Sequence, residues 1–206
     1  MKNKLIGIFV IVILSGLAAF GWIGYQLFTT GFSAKTKPHV LEVMMARQIR
    51  HLAIPIEKRD AQNPVPLTPE VLQESLEHFA DHCATCHAND GSGQTPIGKN
   101  VYPKAPDLRL DDTQSLSDGE LFWVIHNGIR FTAMPAWGEG DPEKDHDSWK
   151  LVHFIRYLPK ITPHELEEMK ALNPKTKHDL EEAAAFDAFL QGDDSSVTSP
   201  SGGHHH

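Results

Sequence analysis

Cys83 and Cys86 stand three positions apart, and His87 follows at once, in the run Cys83-Ala84-Thr85-Cys86-His87. This is the C-x-x-C-H pattern of covalent haem attachment. Two thiols at that spacing can each add to a vinyl group on one edge of the same porphyrin. The adjacent imidazole then swings under the ring and ligates the iron. A C-x-x-C redox pair has no need of that histidine, and a structural zinc site asks for four ligands, mostly cysteine. The chain has two cysteines in all, so zinc sites built from three or four thiolates are excluded. Cys83 and Cys86 are read as the thioether positions and His87 as one axial ligand.

A second axial ligand is expected downstream. A neutral thioether is a soft ligand, and Met/His ligation raises a haem's reduction potential. Of the five methionines, Met1 is the initiator, Met44 and Met45 lie in a helical pattern before the haem motif, and Met169 lies in a charged helix. Met134 alone is flanked by proline, glycine and aromatics, in Ile129-Arg130-Phe131-Thr132-Ala133-Met134-Pro135-Ala136-Trp137-Gly138. Such a segment suits a loop folded over a haem face. The competing reading is a gap-filling core methionine. An iron held by both His87 and Met134 has no position for substrate but can cycle between ferric and ferrous, which points to electron transfer.

Residues 68–159 resemble a class I cytochrome c domain of the bacterial single-haem type. The resemblance is carried by the Cys83–His87 motif, Asn89-Asp90-Gly91-Ser92-Gly93, Ala105-Pro106-Asp107-Leu108, Asn127-Gly128, Met134-Pro135-Ala136-Trp137-Gly138 and the stretch 149–158. It implies one covalently attached haem c. It implies that the Pro106 backbone carbonyl receives the proton-bearing nitrogen of His87, a hydrogen bond that orients a ligand and raises its basicity. Leu108 is expected against the haem edge, and Pro135 stiffens the segment presenting Met134. Tyr102, Arg130 and Trp137 are candidates for the haem propionates, with ordinary packing or a solvated charge as the alternative for each. With Met134 available, neither His78 nor His82 is needed as a ligand. His126 and His153 are read as core or surface residues of helices. The motifs are specific for the family and not for a pathway or partner.

The elements that must position these residues are helical. Thr68 is a plausible N-cap with Pro69 at the first helical position. A helix from Pro69 to about Asp81 then carries Leu72, Leu76, Phe79 and Ala80 inward and delivers Cys83. By resemblance it crosses the domain's last helix almost at right angles, with Ser75 allowing close approach and Phe79 meeting Leu151 and Phe154. Ser117 and Glu120 form a capping-box pattern, opening a helix that stops at Asn127-Gly128. Residues 91–110 are rich in glycine and proline and read as loop. Thr162-Pro163-His164-Glu165 opens an added helix that ends before Asn173-Pro174, and 179–190 reads as another, with Leu180, Ala183, Ala184, Phe186 and Leu190 on its apolar side. The expected class is all-α: a cytochrome c domain, one N-terminal transmembrane helix and additional C-terminal helices.

The run 5–28 is uncharged and largely apolar. As a helix it would be about 36 Å long, enough to cross a bilayer. Lys2 and Lys4 put the N-terminus in the cytoplasm, a bias that Lys35 and Lys37 weaken. The resemblance implies haem attachment outside the cytoplasm, hence export of everything after Phe28. The rival reading is a signal peptide cut near Gly16-Leu17-Ala18. Cleavage there would leave Phe20, Trp22, Ile23, Tyr25, Leu27 and Phe28 on a soluble protein, so an uncleaved anchor is favoured.

The organisation read from sequence is an anchor over 1–28, then a stalk, amphipathic helix and linker over 29–67. The haem domain follows over 68–159, added helices over 160–190, and a polar tail over 191–206. The stripe Leu41, Met44, Met45, Ile49 and Leu52 is helical in spacing, and suits packing on the haem domain or lying at the membrane surface. The formal charge of −8 argues against nucleic acid, and the acidic excess gathers after Pro159. Expected partners are the lipid bilayer and redox proteins at the membrane or in the periplasm, with the chain an electron carrier, either a shuttle or a subunit of a redox complex, rather than an enzyme itself. Two alternatives stand beside it. One is a gas-sensing or catalytic haem with an open sixth position. The other is a metal-handling protein using the terminal histidines and the Met44-Met45 pair, although the tail also reads as a purification tag; Met44, Met45 and His51 as a copper site is the weaker reading beside a core stripe.

Overall fold

The protein is described by a computed structural model over residues 2–31, 33–34, 36, 38 and 40–190. The tail 191–206, with its terminal histidines, and Lys35 and Lys37 lie outside the described residues, as does the side chain of His51. Among the described residues there are helices and no strand.

Helix α1 (Lys2–Thr30) contains a 23-residue span, Lys4–Gln26, of mean hydropathy 2.5. By length and composition it can cross a membrane, and a signal sequence passes the same test. Among the described residues, its apolar side chains between Leu5 and Phe28 are exposed. Helix α2 (Val40–Ala53) leaves Met44 and Met45 exposed. A one-turn helix, α3 (Ile56–Arg59), follows.

Helix α4 (Pro69–His78) starts as its sequence predicts, with the Thr68 side chain accepting from the Val71 N–H at 3.2 Å and Pro69 in the first turn. Leu76, Phe79 and Ala80 are buried along one stripe and Leu72 packs at its edge. The expected stop near Asp81 does not occur. The helix widens into a π turn, Phe79–Cys83, and continues as α5 (Ala84–His87). A π turn inserts one residue, which rotates everything after it by about 100° against the preceding stripe. The buried stripe passes from Phe79 and Ala80 to Ala84, with Cys83 packed at its edge, and Cys86 and His87 follow at half-buried positions.

The loop expected over 91–110 contains a short helix, α6 (Pro96–Asn100), capped by Thr95 with proline in its first turn. That is the same Thr-Pro start that opens α4. A second single turn is α7 (Asp111–Gln114). Helix α8 (Asp118–Asn127) has the full Ser117/Glu120 capping box and ends at Gly128. Helix α9 (His146–Tyr157) is capped by Asp145, whose carboxylate accepts from the Ser148 N–H at 3.0 Å.

The core forms where α4 crosses α9. Ser75 is 1% exposed, and its small side chain lets the helices approach. The Phe79 and Phe154 rings meet at 4.9 Å between centroids, with Leu151 and Val152 buried beside them. On the other side of α9, Trp149 stacks on Phe122 of α8 at 4.1 Å. Arg156 ties α9 to the α7–α8 corner, bonding the Gln114 carbonyl at 2.7 Å, the Leu116 carbonyl and the Asp118 carboxylate.

The stretch read as a linker is fastened down rather than loose. Ser117 donates to the Arg59 carbonyl, Asn63 Nδ2 donates to the Trp149 carbonyl at 2.9 Å, and His153 Nε2 donates to the Val65 carbonyl at 2.7 Å. Gly119 has no side chain to block the α3 backbone, which passes directly over it. Helix α10 (Pro163–Leu172) has its own Thr162/Glu165 capping box. It sends Met169, expected in a charged helix, into the core at 0% exposure, beside the π turn. Helix α11 (Lys177–Leu190) leaves Leu180, Phe186 and Leu190 exposed.

Truncating Phe79 to Ala removes the ring at the crossing, a change that typically costs about 3–5 kcal/mol. A strong fall in the denaturation midpoint is expected for Phe79→Ala. Exposed Glu77 on the same helix should tolerate Ala within about 0.5 kcal/mol. Equal small effects at the two positions, read by chemical denaturation, would contradict this packing.

Candidate haem centre

Cys83 ends the π turn, and Cys86 and His87 close α5, so one continuous helix presents all three. The cysteines are half-buried and not joined to each other. Burial, with Cys86 adding to it, pushes the Cys83 thiol up to about 12. Redox and nucleophilic C-x-x-C pairs depend on a lowered thiol pKa, and that of Cys83 is raised.

The chain after His87 is held in a tight backbone cradle. Ala88 takes φ 61, ψ 158, an unfavourable conformation for a residue with a side chain. It is held there by Ala88 N–H to the Ala84 carbonyl at 2.8 Å, Gly91 N–H to Ala88 at 3.0 Å and Gly93 N–H to the His87 carbonyl at 2.8 Å. The Thr95 hydroxyl donates to the Cys86 carbonyl at 3.2 Å. Gly98 is buried with its Cα facing that same Cys86 carbonyl, and a Cβ there would overlap it. Gly93, at φ +70, lies against the backbone of Ala105 and Pro106. These contacts lay the 105–108 segment beside His87.

His87 Nδ1 is buried and forms no hydrogen bond of regular geometry. The polar group acting on the ring is the Pro106 backbone carbonyl, which raises its pKa, while burial lowers it by more. The net shift is down, so His87 is neutral near pH 7. A proton on Nδ1 directed at a carbonyl leaves the Nε2 lone pair for a metal. The buried nitrogen, the half-buried thiols beside it and the cradle with no room for a side chain fit a covalently held haem. Leu108 is buried in the core cluster, and its carbonyl is held by Gln114 Nε2 at 2.7 Å.

The Met134 segment is a closed loop over the end of α8. The Ile129 N–H donates to the Met134 carbonyl at 3.1 Å, and the Thr132 hydroxyl accepts from the Met134 N–H at 3.1 Å. Gly128, at φ +65, presses against the Met134 carbonyl and Pro135 with no space for a Cβ. Phe131 takes φ 62 and is 94% exposed. Among the described residues, Ala88 and Phe131 are the non-glycines at positive φ. One sits in each of the two segments expected to supply a ligand.

Trp137 joins the two segments. Its ring lies 5.3 Å from that of His82, the residue before Cys83, and His82 in turn meets His78 edge-on at 5.1 Å. The contact with His82 sets Trp137, three residues after the half-buried Met134, against the residue before Cys83. Tyr102 is exposed and its hydroxyl donates to the Glu42 carboxylate of α2, and Arg130 is exposed. Sequence reasoning missed the supports: the Gly98 and Gly93 crowding, the Ala88 and Phe131 conformations, and a buried His126–Asp145 pair at 2.6 Å beneath the loop. Among the described residues no group of three or more His, Cys, Asp or Glu is placed to hold a metal ion.

This helical domain, with its C-x-x-C-H turn, is a c-type cytochrome domain, whose chemistry is haem-based electron transfer. Residues 70–155 match the family model described as cytochrome C oxidase, cbb3-type, subunit III. A search of the curated proteins found no match to the chain.

Gly98→Ala should disturb attachment itself, because the atoms in the way are backbone and cannot rotate aside. Overpacking of this kind costs about 1–3 kcal/mol. Intact-mass analysis should find a lower fraction of chains carrying haem than for an alanine at exposed Lys99 on the same turn. Equal haem content in the two variants would contradict the cradle's role.

Proposed function

We propose that the chain is a membrane-anchored, single-haem c-type cytochrome that carries electrons between redox partners on the outer face of the cytoplasmic membrane. The observation that carries this reading is the contact of His82 with Trp137, which brings the Met134 loop to the attachment helix. In this reading Cys83 and Cys86 carry the thioethers, and His87 and Met134 are the axial ligands. When bound, haem c supplies a one-electron couple between ferric and ferrous iron.

The chain's residues divide the remaining work. His87 ligates as a neutral imidazole, its Nδ1–H directed to the Pro106 carbonyl. Pro135 and the Gly128 contact limit the movement of Met134, so that a change of charge on the metal meets little rearrangement. Leu108 lines the ring edge and excludes water. Trp137, Tyr102 and Arg130 are proposed for the propionates, with the Tyr102–Glu42 hydrogen bond a competing use of that hydroxyl. The family description names an oxidase subunit, which supports service in a larger redox complex. The segment before the haem domain and helices α10 and α11 exceed what a minimal shuttle needs, and favour docking on a defined partner at the membrane.

Met134→Ala should open the iron. The reduced variant should bind carbon monoxide, and the oxidised variant should lose the sulfur-to-iron charge-transfer band. An unchanged spectrum would remove Met134 as the ligand.

The full-length protein should stay with membranes after washing at high salt or high pH. Intact mass should show 5–28 retained. A soluble protein with a mature N-terminus near Ala19 would refute the anchor.

A further inference from the structure

The Met134 loop rests on a buried hydrogen-bonded pair that the proposed ligand set does not include. His126, in the last turn of α8, is 7% exposed, and its Nδ1 lies 2.6 Å from Asp145 Oδ2. The two side chains are 8% and 9% exposed. Hydrogen bonds from Ser148 and His126 outweigh burial and hold the Asp145 carboxyl below its ordinary range. An ionised carboxylate only accepts, so His126 Nδ1 carries the proton and donates.

The loop is built directly on this imidazole. The His126 carbonyl accepts the Gly138 N–H at 3.0 Å, and the preceding Ile125 carbonyl accepts the Trp137 N–H at 3.1 Å. Gly138 lies against the His126 ring so closely that a Cβ there would fall within it. The ring cannot tilt without displacing Gly138, and it is held from below by Phe122, stacked at 5.4 Å and 20°. Asp145 then ties it to the start of α9, where its other oxygen caps the helix through Ser148 at 3.0 Å. Trp137 and Gly138 thus follow the orientation of His126, and they lie three and four residues after Met134.

We propose that His126 and Asp145 are positioning residues for the second axial ligand: the buried hydrogen bond fixes the exit of the 129–138 loop and so keeps Met134 on the iron. The proposal rests on the reading of Met134 as that ligand. Loss of a hydrogen bond to a charged, buried partner shifts an equilibrium roughly ten- to a hundredfold. The equilibrium shifted here is between bound and detached Met134.

The test compares variants of the haem-loaded, full-length protein. Asp145→Asn keeps an oxygen for the α9 cap and removes the charge. His126→Leu removes the donor, and His126→Asn restores a donor near the Nδ1 position. Val152→Ala truncates a core residue of α9 and leaves the pair intact. Readouts are the charge-transfer band of the ferric form, carbon monoxide binding by the ferrous form, and the denaturation midpoint. The expected result is a weakened band and carbon monoxide affinity raised roughly tenfold or more in Asp145→Asn and His126→Leu. His126→Asn should recover part of both, and Val152→Ala should lower the midpoint with the band intact. Asp145→Asn carries the test where His126→Leu does not fold. A band present in the wild type, lost in Met134→Ala and unchanged in Asp145→Asn overturns the positioning role alone. Band loss that tracks the midpoint equally in Val152→Ala also overturns it. A band absent from the wild type, or kept in Met134→Ala, overturns the ligand reading and this inference with it.

Discussion

At the crossing of α4 and α9 the Phe79 and Phe154 rings pack 4.9 Å apart, and Cys83 follows four residues later on the same rod of helix. A small domain has little apolar surface to bury, and one crossing must supply much of its core. Whatever fixes the rotation of α4 there fixes the direction of the attachment residues. The π turn lies between the two. Leu76, Phe79 and Ala80 are buried up to and within it, Ala84 continues the buried stripe beyond it with Cys83 packed at the edge, and Cys86 and His87 follow half-buried. Met169 of α10 is buried next to that turn, so an element outside the matched 70–155 region covers it.

From the crossing outward, the segments that carry chemistry are restrained by backbone rather than by bulk. Gly93, Gly98 and Gly128 each face a carbonyl where no Cβ fits, and Ala88 and Phe131 are held at positive φ by surrounding hydrogen bonds. Strain of about 1–3 kcal/mol at such residues persists only where neighbours over-determine the conformation. Both segments meet that condition, and both are expected to present a ligand. An electron carrier gains from this stiffness, because a ligand set that barely moves between oxidation states leaves little to reorganise. His126 with Asp145 extends the same restraint through a buried hydrogen bond, tying the loop on α8 to the cap of α9.

Local chemistry was legible in the sequence, and non-local packing only where helical spacing and the family resemblance supplied it. The C-x-x-C-H run, the Ser117/Glu120 and Thr162/Glu165 capping boxes and the stop at Gly128 are each written within a few residues. The burial of Ser75, Phe79, Leu151 and Phe154 followed from helical spacing and the family resemblance. Helix α6 escapes a reading by composition because 91–110 is rich in glycine and proline, although Thr95-Pro96 repeats the start of α4. The π turn has no local signature. The fastening of Asn63 to Trp149 and of Val65 to His153 spans 86 and 88 residues, a separation no periodicity records. His126 looked like any helical histidine, because Asp145 lies beyond the Met134 loop and only the fold brings it near.

The fastened 54–65 stretch bears on how the domain meets a partner. With α1 in a bilayer, as proposed, the haem domain would hang on whatever lies between Thr30 and Ile54. Ile54 is 2% exposed and already part of the folded body, and Asn63 and Val65 are bonded to α9. The 63–66 segment therefore does not act as a swivel. The remaining connection contains α2, whose 14 residues make a rod about 21 Å long. Its Glu42 accepts from Tyr102, in the loop between α6 and Pro106. With α1 in a bilayer, such a connection would keep the domain in a thin layer over the membrane. Diffusion over long distances is better served by a long polar tether. Repeated exchange with a neighbour in the same membrane is better served by a short one, because the effective concentration stays high only when the reach matches the span.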